Sequence, residues 1–154
     1  MNVKATPSPD DIARACAEAM WREDDASKGL GMAIVEVKPG LAILAMTIQP
    51  HMVNGQRIAH GGFIFTLADS AFAFACNSHN ERAVAAQCNI SFIRPGKLGD
   101  RLTATAREIS RNGRSGIYDV RVTADDTVIA EFRGHSRTIG GVWLPTSATE
   151  TKQK

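Results

Sequence analysis

Between Gly61 and Ser78 the chain contains a single charged residue, Asp69, flanked at helical spacing by Phe65, Thr66, Phe72, Ala73 and Cys76. Aspartate is a poor mid-helix residue, and burying an unpaired carboxylate is costly. Such a group has two uses. It can serve structure, bonded to a backbone group or an arginine, or it can serve chemistry at the rim of a cleft, acting on water or on a carbonyl.

Just upstream stands His60-Gly61-Gly62. Two glycines at a helix start leave amide N–H groups uncovered, and the helix dipole adds partial positive charge there. That end can hold a phosphate, polarise a carbonyl and stabilise the oxyanion formed on attack, or simply permit a tight turn. Neither GxGxxG nor GxxxxGK[ST] occurs, so the phosphate-cradling motifs have no support. His60 by itself reads as a structural or capping histidine. Gly62 and Asp69 are seven residues apart, about 10.5 Å along a helix axis. A carbonyl about 3 Å from the amides is hard for the same chain's carboxylate to reach. Two antiparallel copies of the helix would bring one amide end to the other's carboxylate, which makes a composite site across a dimer interface the expectation.

The surrounding pattern supplies the scaffold. Ser8-Pro9-Asp10-Asp11 reads as a helix start, with a capping hydroxyl, proline at the first position and acids at the positive dipole end. Ile12, Cys16, Ala19 and Met20 continue at helical spacing, and the helix is expected to fade in Arg22–Asp25 and end before Gly29. The period then changes to two. Met32–Lys38 and the apolar run Leu41–Ile48 form a hairpin about Pro39-Gly40, the second strand well buried. Gln49–Ala59 reads as a loop, and the central helix runs from His60-Gly61-Gly62 to about Asn77. Four strands follow: Arg82–Arg94, Arg101–Ser110, Ser115–Thr123 and Thr127–Ile139, with Asn112-Gly113 a strong hairpin signal. Six strands and one long apolar helix predict an α+β layer, an antiparallel sheet packed on one helix. That helix is apolar nearly all round, so a second copy of the chain is its cheapest further cover.

Composition sets the outer limits. A chain of 154 residues, 44% apolar and 22% charged with net charge +2, fits one globular domain and excludes a disordered or collagenous one. Residues 1–7 and 143–154 read as flexible tails of the single domain 1–154. Lys and Arg form no blocks, so nucleic acid has no footprint here. Aromatics are scarce, with five of the six Phe between Phe63 and Phe92, too few for a stacking platform for single strands. Cys16, Cys76 and Cys88 lack CxxC or CxxH spacing and read as small buried apolar residues in a reducing cytoplasm. No signal peptide is visible, and Gly61–Cys76 is too short and too acidic at Asp69 to span a membrane.

Asn54-Gly55, His60-Gly61-Gly62, Leu67-Ala68-Asp69 and Ala71-Phe72-Ala73 together resemble the hotdog-fold acyl-CoA thioesterases, most of all their phenylacetate-degradation branch. The likeness continues through Ala75-Cys76-Asn77-Ser78, Phe92-Ile93-Arg94-Pro95-Gly96, Gly99-Asp100 and Leu102-Thr103-Ala104-Thr105-Ala106. It closes with Phe132-Arg133-Gly134 and Arg137-Thr138-Ile139-Gly140-Gly141, so it covers residues 10–142. HGG alone is weak. HGG with a carboxylate seven residues after its last glycine and a later RPG…GD is specific.

The resemblance implies a hotdog: an antiparallel sheet wrapped around the central helix, dimerised into a continuous sheet and commonly paired again into a tetramer. It implies hydrolysis of aryl-acetyl-CoA thioesters, such as hydroxyphenylacetyl-CoA, to the acid and free CoA. Carried over, the Gly61 N–H polarises the thioester carbonyl beside Gly62, and Asp69 of the partner chain acts as general base or nucleophile. Asn54 positions the water or the acyl group, and His60 supports the loop. Thr66 is a further hydroxyl on the face of Asp69. Some relatives have Ser where this chain has Ala85, so a hydroxyl-assisted variant has no residue here. Arg94, Lys97 and Arg101 are candidates for the CoA phosphates, although ordinary solvated strand-end charges explain each as well. Phe63, Phe65 and Met52 are candidates for an acyl pocket, with core packing the competing role. No cofactor beyond the substrate's own CoA is implied, and no metal, since His51, His60, His79 and His135 lack ligand spacing. The alternatives are a hotdog thioesterase for medium-chain or benzoyl groups, and a non-catalytic acyl-CoA-binding module, against which Asp69 argues. A hydratase of the same fold would want a histidine beside the acid.

Overall fold

The N-terminal helix forms where its capping signals stand. In the computed structural model, which describes residues 6–145, α1 spans Pro9–Arg22. The Ser8 hydroxyl accepts from the Asp11 N–H at 3.2 Å while the Asp11 carboxylate accepts from the Ser8 N–H at 3.0 Å, a reciprocal capping box. The charged run after Arg22 does more than let the helix fade. The Asp24 side chain accepts from the Ser27 N–H at 2.9 Å and starts a separate short helix, α2, Asp25–Gly29.

The hairpin β1 (Ala33–Lys38) and β2 (Leu41–Thr47) follows, as its alternation and its Pro39-Gly40 turn predict. A short 3-10 turn, Pro50–Met52, interrupts the loop after β2. The central helix α3 covers Gly61–Cys76. Then come β3 (Ala83–Phe92), β4 (Arg101–Asn112), β5 (Ser115–Ala124) and β6 (Thr127–Thr138). All six strands pair antiparallel in the order β1-β2-β4-β5-β6-β3. This is the expected hotdog, with the sheet curled around α3.

The helix packs against β2, β4 and β5. Ile64, Leu67, Ala68, Ala71, Phe72 and Phe74 are buried along it, and the Phe72 ring lies 5.6 Å from Tyr118 and 5.9 Å from Phe132. Phe63, Phe65, Thr66, Asp69, Ser70 and Ala73 remain only partly covered. The helix therefore keeps an unfinished face.

The two edges of the sheet differ. β1 is six residues long, slips register between Ile34 and Glu36, and pairs Glu36 with Lys38 on its surface. β3 is ten residues long and exposes Val84 and Phe92, 47% and 54% accessible.

The expected loose tail differs at its start. Trp143 donates its indole N–H to the Asn77 side-chain oxygen at 2.8 Å, and Asn80 Oδ1 accepts from the backbone N–H groups of Trp143 and Leu144 at 3.0 and 2.9 Å. The Arg82 guanidinium sits 4.3 Å from the Trp143 ring centre. An aromatic ring with a buried donor to satisfy outweighs the polar character of its neighbours. Residues 1–5 and 146–154, the remainder of the expected tails, lie outside the described residues.

Candidate active site

The start of α3 is built so that one amide is left over. His60 caps the helix, its Nδ1 accepting from the Gly62 N–H at 2.9 Å, and the His60 carbonyl accepts from the Phe63 N–H at 3.0 Å. The Gly61 N–H has no hydrogen-bond partner among the described residues. A Cβ at Gly61 would lie 2.7 Å from Cζ of Phe92, so any larger residue would have to displace that exposed ring. An unpaired N–H at the positive end of a sixteen-residue helix has the geometry and charge to receive a carbonyl oxygen or an anion.

Asn54 stands beside it. The loop before α3 is held by the Asn54 N–H on the Ile58 carbonyl, the Ala59 N–H on Gly96 and the His60 N–H on Met52, all at 2.8–2.9 Å. Asn54 Oδ1 accepts from the N–H groups of Gln56 and Ile58 at 3.0 and 3.3 Å. Those two bonds fix the oxygen, so the Nδ2 amino group is the end left to face a ligand. Asn54, Gly61, Phe92, Ile93 and Arg94 line one cleft of about 430 Å³. Arg94 holds its side chain there with an Nη1–H bond to the Val128 carbonyl at 3.4 Å.

Asp69 is elsewhere. It is half-buried on the open face of α3 and lines a second cavity, of about 320 Å³, with Met20, Ala73, Ala85 and Trp143. No ion pair reaches it among the described residues. Its one hydrogen bond is from the Cys88 thiol at 3.8 Å. Burial raises the Asp69 carboxyl above the ordinary carboxylate value, and the Cys88 bond opposes that. Burial likewise pushes the Cys88 thiol up to about 11, so at neutral pH it is the proton-bearing partner. A carboxylate that is dehydrated and without a counter-ion is a stronger base than one in water. A larger cleft, about 620 Å³ between α1 and β1, contains none of these groups.

The other expected residues scatter. Gly62 lends its N–H to His60 and is not free to bind. The Thr66 hydroxyl donates to the Gly62 carbonyl at 2.8 Å, one turn before Asp69 on the same helix. Lys97 and Arg101 are exposed and line neither cavity; the Lys97 backbone N–H is taken by Asp100 at 2.9 Å. Phe63 lies edge-on to His51 and His60, and Phe65 packs on Phe132. Met52 is fully buried core and cannot line an acyl pocket. Among the described residues, no group of three His, Cys, Asp or Glu could hold a metal ion, and no helix is long and apolar enough to cross a membrane.

Comparison with known proteins decides the family. The thioesterase superfamily model matches residues 56–131, and the chain is 45% identical to the acyl-coenzyme A thioesterase PaaI of Escherichia coli over 126 residues, 81% of this chain and 90% of that one. The chain belongs to the thioesterase superfamily. A solved structure of the E. coli PaaI protein, from the phenylacetic acid degradation operon, superposes with a TM-score of 0.86 at 43% identity, covering 88% of this chain and 99% of that one. A Streptococcus mutans protein solved with acetyl-CoA bound aligns with a TM-score of 0.69 at 28% identity, over 72% of this chain and 90% of its own.

Three residues beside the candidate site were missed by sequence reasoning. Cys88 reads as an ordinary small apolar residue, and only the pairing of β3 with β6 at the sheet edge brings it to Asp69. Phe92 sits in the quoted Phe92–Gly96 stretch, but its place over Gly61 depends on β3 crossing the start of α3. Trp143 lies in a polar-looking tail. Its one signal was being a lone large aromatic there.

Proposed function

We propose that this chain hydrolyses aryl-acetyl-CoA thioesters, such as hydroxyphenylacetyl-CoA, to the acid and free CoA, in phenylacetate breakdown and in the cytoplasm. The observation that supports this reading most is the unpaired Gly61 N–H on one cleft with the half-buried Asp69, without a counter-ion among the described residues, on another. Gly61 and Asp69 are eight residues apart on one helix, about 12 Å along its axis, so the two act together only across two chains. The site is formed by a homodimer, alone or paired into a tetramer, in which the open β3 edges extend the sheet and the α3 helices lie antiparallel.

In that arrangement the thioester carbonyl oxygen accepts from the Gly61 N–H, and the Asn54 amino group orients the acyl oxygen or the water. Asp69 of the partner subunit removes a proton from water as its oxygen attacks the carbonyl carbon. The tetrahedral oxyanion is held at Gly61 and collapses, breaking the C–S bond. The CoA thiolate leaves and takes up the proton that Asp69 received. An amide donor of this kind is worth about 3–4 kcal/mol and general-base help about 10²–10⁴-fold. His60 keeps the Gly62 N–H occupied and the helix start rigid. Arg94, at the mouth of the Gly61 cleft, meets the phosphates of CoA, and the exposed Lys97 and Arg101, outside both cavities, are the further cations offered to them.

The test is release of free thiol by the purified protein from phenylacetyl-, hydroxyphenylacetyl-, benzoyl-, hexanoyl- and decanoyl-CoA. Highest kcat/KM on the aryl-acetyl members is expected. A maximum on benzoyl or straight-chain members would replace the substrate class. No release from any member, with tight binding retained, would make the chain an acyl-CoA-binding module.

A further inference from the structure

The cavity beside Asp69 has a feature that the hydrolytic reading does not use. It runs along the C-terminal half of α3, past Ala73 and Cys76, to Asn77. Asp69 and Asn77 are eight residues apart, again about 12 Å along the helix. Its walls are mostly apolar, with Met20 from α1, Phe72 and Ala73 from α3, Val84 from β3, and Ile139 and Trp143 from the segment after β6, and Arg82 is the one cation among its lining residues. At about 320 Å³ it falls at the small end of ordinary ligand pockets.

The segment after β6 borders the cavity beside Asn77. After β6 the chain turns at Gly140 and Gly141, both with positive φ, and the Arg82 N–H donates to the Gly141 carbonyl at 3.1 Å. Trp143 then docks on Asn77, itself fully committed. Asn77 Nδ2 donates to the carbonyls of Ala73 and Ala83 at 2.9 and 3.1 Å, and Oδ1 accepts from the Ala83 N–H at 2.9 Å as well as from the indole. The Arg82 guanidinium stacks on the Trp143 ring, and its Nε–H donates to the Val142 carbonyl at 3.1 Å. Asn77, Asn80 and Arg82 thus all hold this segment in place. The indole is held as a fixed wall.

We propose that this cavity receives the acyl moiety of the thioester and that Trp143 is the specificity-determining residue that limits its length. The inference rests on the thioesterase reading above, since it needs the carbonyl carbon beside Asp69. An acyl group lying from there along α3 meets the indole before it can leave the cavity, so a compact aryl-acetyl group fits and a long straight chain does not.

Trp143→Ala opens the far end. The ratio of kcat/KM for decanoyl-CoA to that for phenylacetyl-CoA is expected to rise tenfold or more, the discrimination that one or two methylenes provide in an apolar pocket being about 10–200-fold. Ala73→Met fills the cavity from the helix side, and the ratio of phenylacetyl- to acetyl-CoA turnover is expected to fall about tenfold. Trp143→Phe keeps a ring but loses the bond to Asn77, and shifts the decanoyl ratio less in the same direction. If Trp143→Ala is poorly folded, Trp143→Phe and Ala73→Met still decide the matter. Equal changes for all acyl groups in these variants would overturn the proposal and make the segment after β6 structural. If the wild-type protein releases thiol from no acyl-CoA, the thioesterase reading itself has failed. If it is active but all length ratios are insensitive, only the role of Trp143 has failed.

Discussion

If each site draws its amide from one chain and its carboxylate from the other, two inactive variants should rescue one another. Gly61→Ala puts a methyl 2.7 Å from Cζ of Phe92, so either the ring or the substrate carbonyl must move off the amide. Loss of one such donor lowers kcat by about 10²–10³-fold. Asp69→Asn keeps the shape and removes the base, a loss of about 10²–10⁴-fold, or about 3–5 kcal/mol of barrier. In a mixed dimer the Asp69→Asn chain supplies an intact Gly61 and the Gly61→Ala chain an intact Asp69, so one site of the two is whole. Random pairing of equal amounts makes about half the dimers mixed, and the pool regains about a quarter of wild-type activity. The assay is thiol release from phenylacetyl-CoA by the co-expressed pool, against each variant expressed alone. Thermal unfolding provides the control for misfolding. Ionised Asp69 is half-buried without a counter-ion, so the neutral Asp69→Asn protein should be no less stable at pH 7. A pool no more active than its separate components would refute the shared site, and a destabilised Asp69→Asn protein would point to a structural carboxylate.

Three more outcomes follow from the surroundings of Asp69 and of the buried Phe72. Because burial raises the Asp69 carboxyl, the folded chain binds its proton more tightly than the unfolded one. Activity should therefore fall with falling pH at a point above the ordinary carboxylate range, and ionised Asp69 should weaken the fold at neutral pH but not in strong acid. Cys88→Ala removes the bond that favours the ionised form, so the acid limb of the kcat/KM profile should move to higher pH; an unmoved limb would show that the limb does not report Asp69. Gly134→Ala sets a methyl 2.8 Å from the buried Phe72 ring and should cost about 1–3 kcal/mol of stability, read as a lower denaturant midpoint with the pH profile of activity unchanged.

Much of this was legible in the sequence because short-range chemistry decided it. The capping residues Ser8 and Asp11, the period-two run Met32–Lys38 and Asn112-Gly113 each determine structure within a few residues, and the elements fall where they predict. Asp69 announced itself as the one charge in an apolar helix, and the HGG start as bare amides. What was hidden depends on long-range pairing. Nothing in β3 says that it skips β4 and β5 to join β6, yet that crossing sets Cys88 against Asp69 and Phe92 over Gly61. Asn77 reads as an ordinary helix end until Trp143, 66 residues later, binds to it. The short helix α2 was masked by its own charges, because Asp24 acts there as a cap and not as part of a solvated face.

The unequal edges of the sheet bear on how far assembly can go. An exposed strand of ten residues at β3 offers a ladder that another chain can continue, whereas β1 is short, bulged and charged at its end. Were both edges equally receptive, chains could add one after another into an endless ribbon. With only one receptive edge, a first pairing uses it up and leaves the blunted one outermost on each side. In the proposed dimer, growth by strand addition would then stop at two, so the asymmetry that completes the active site would also limit the assembly.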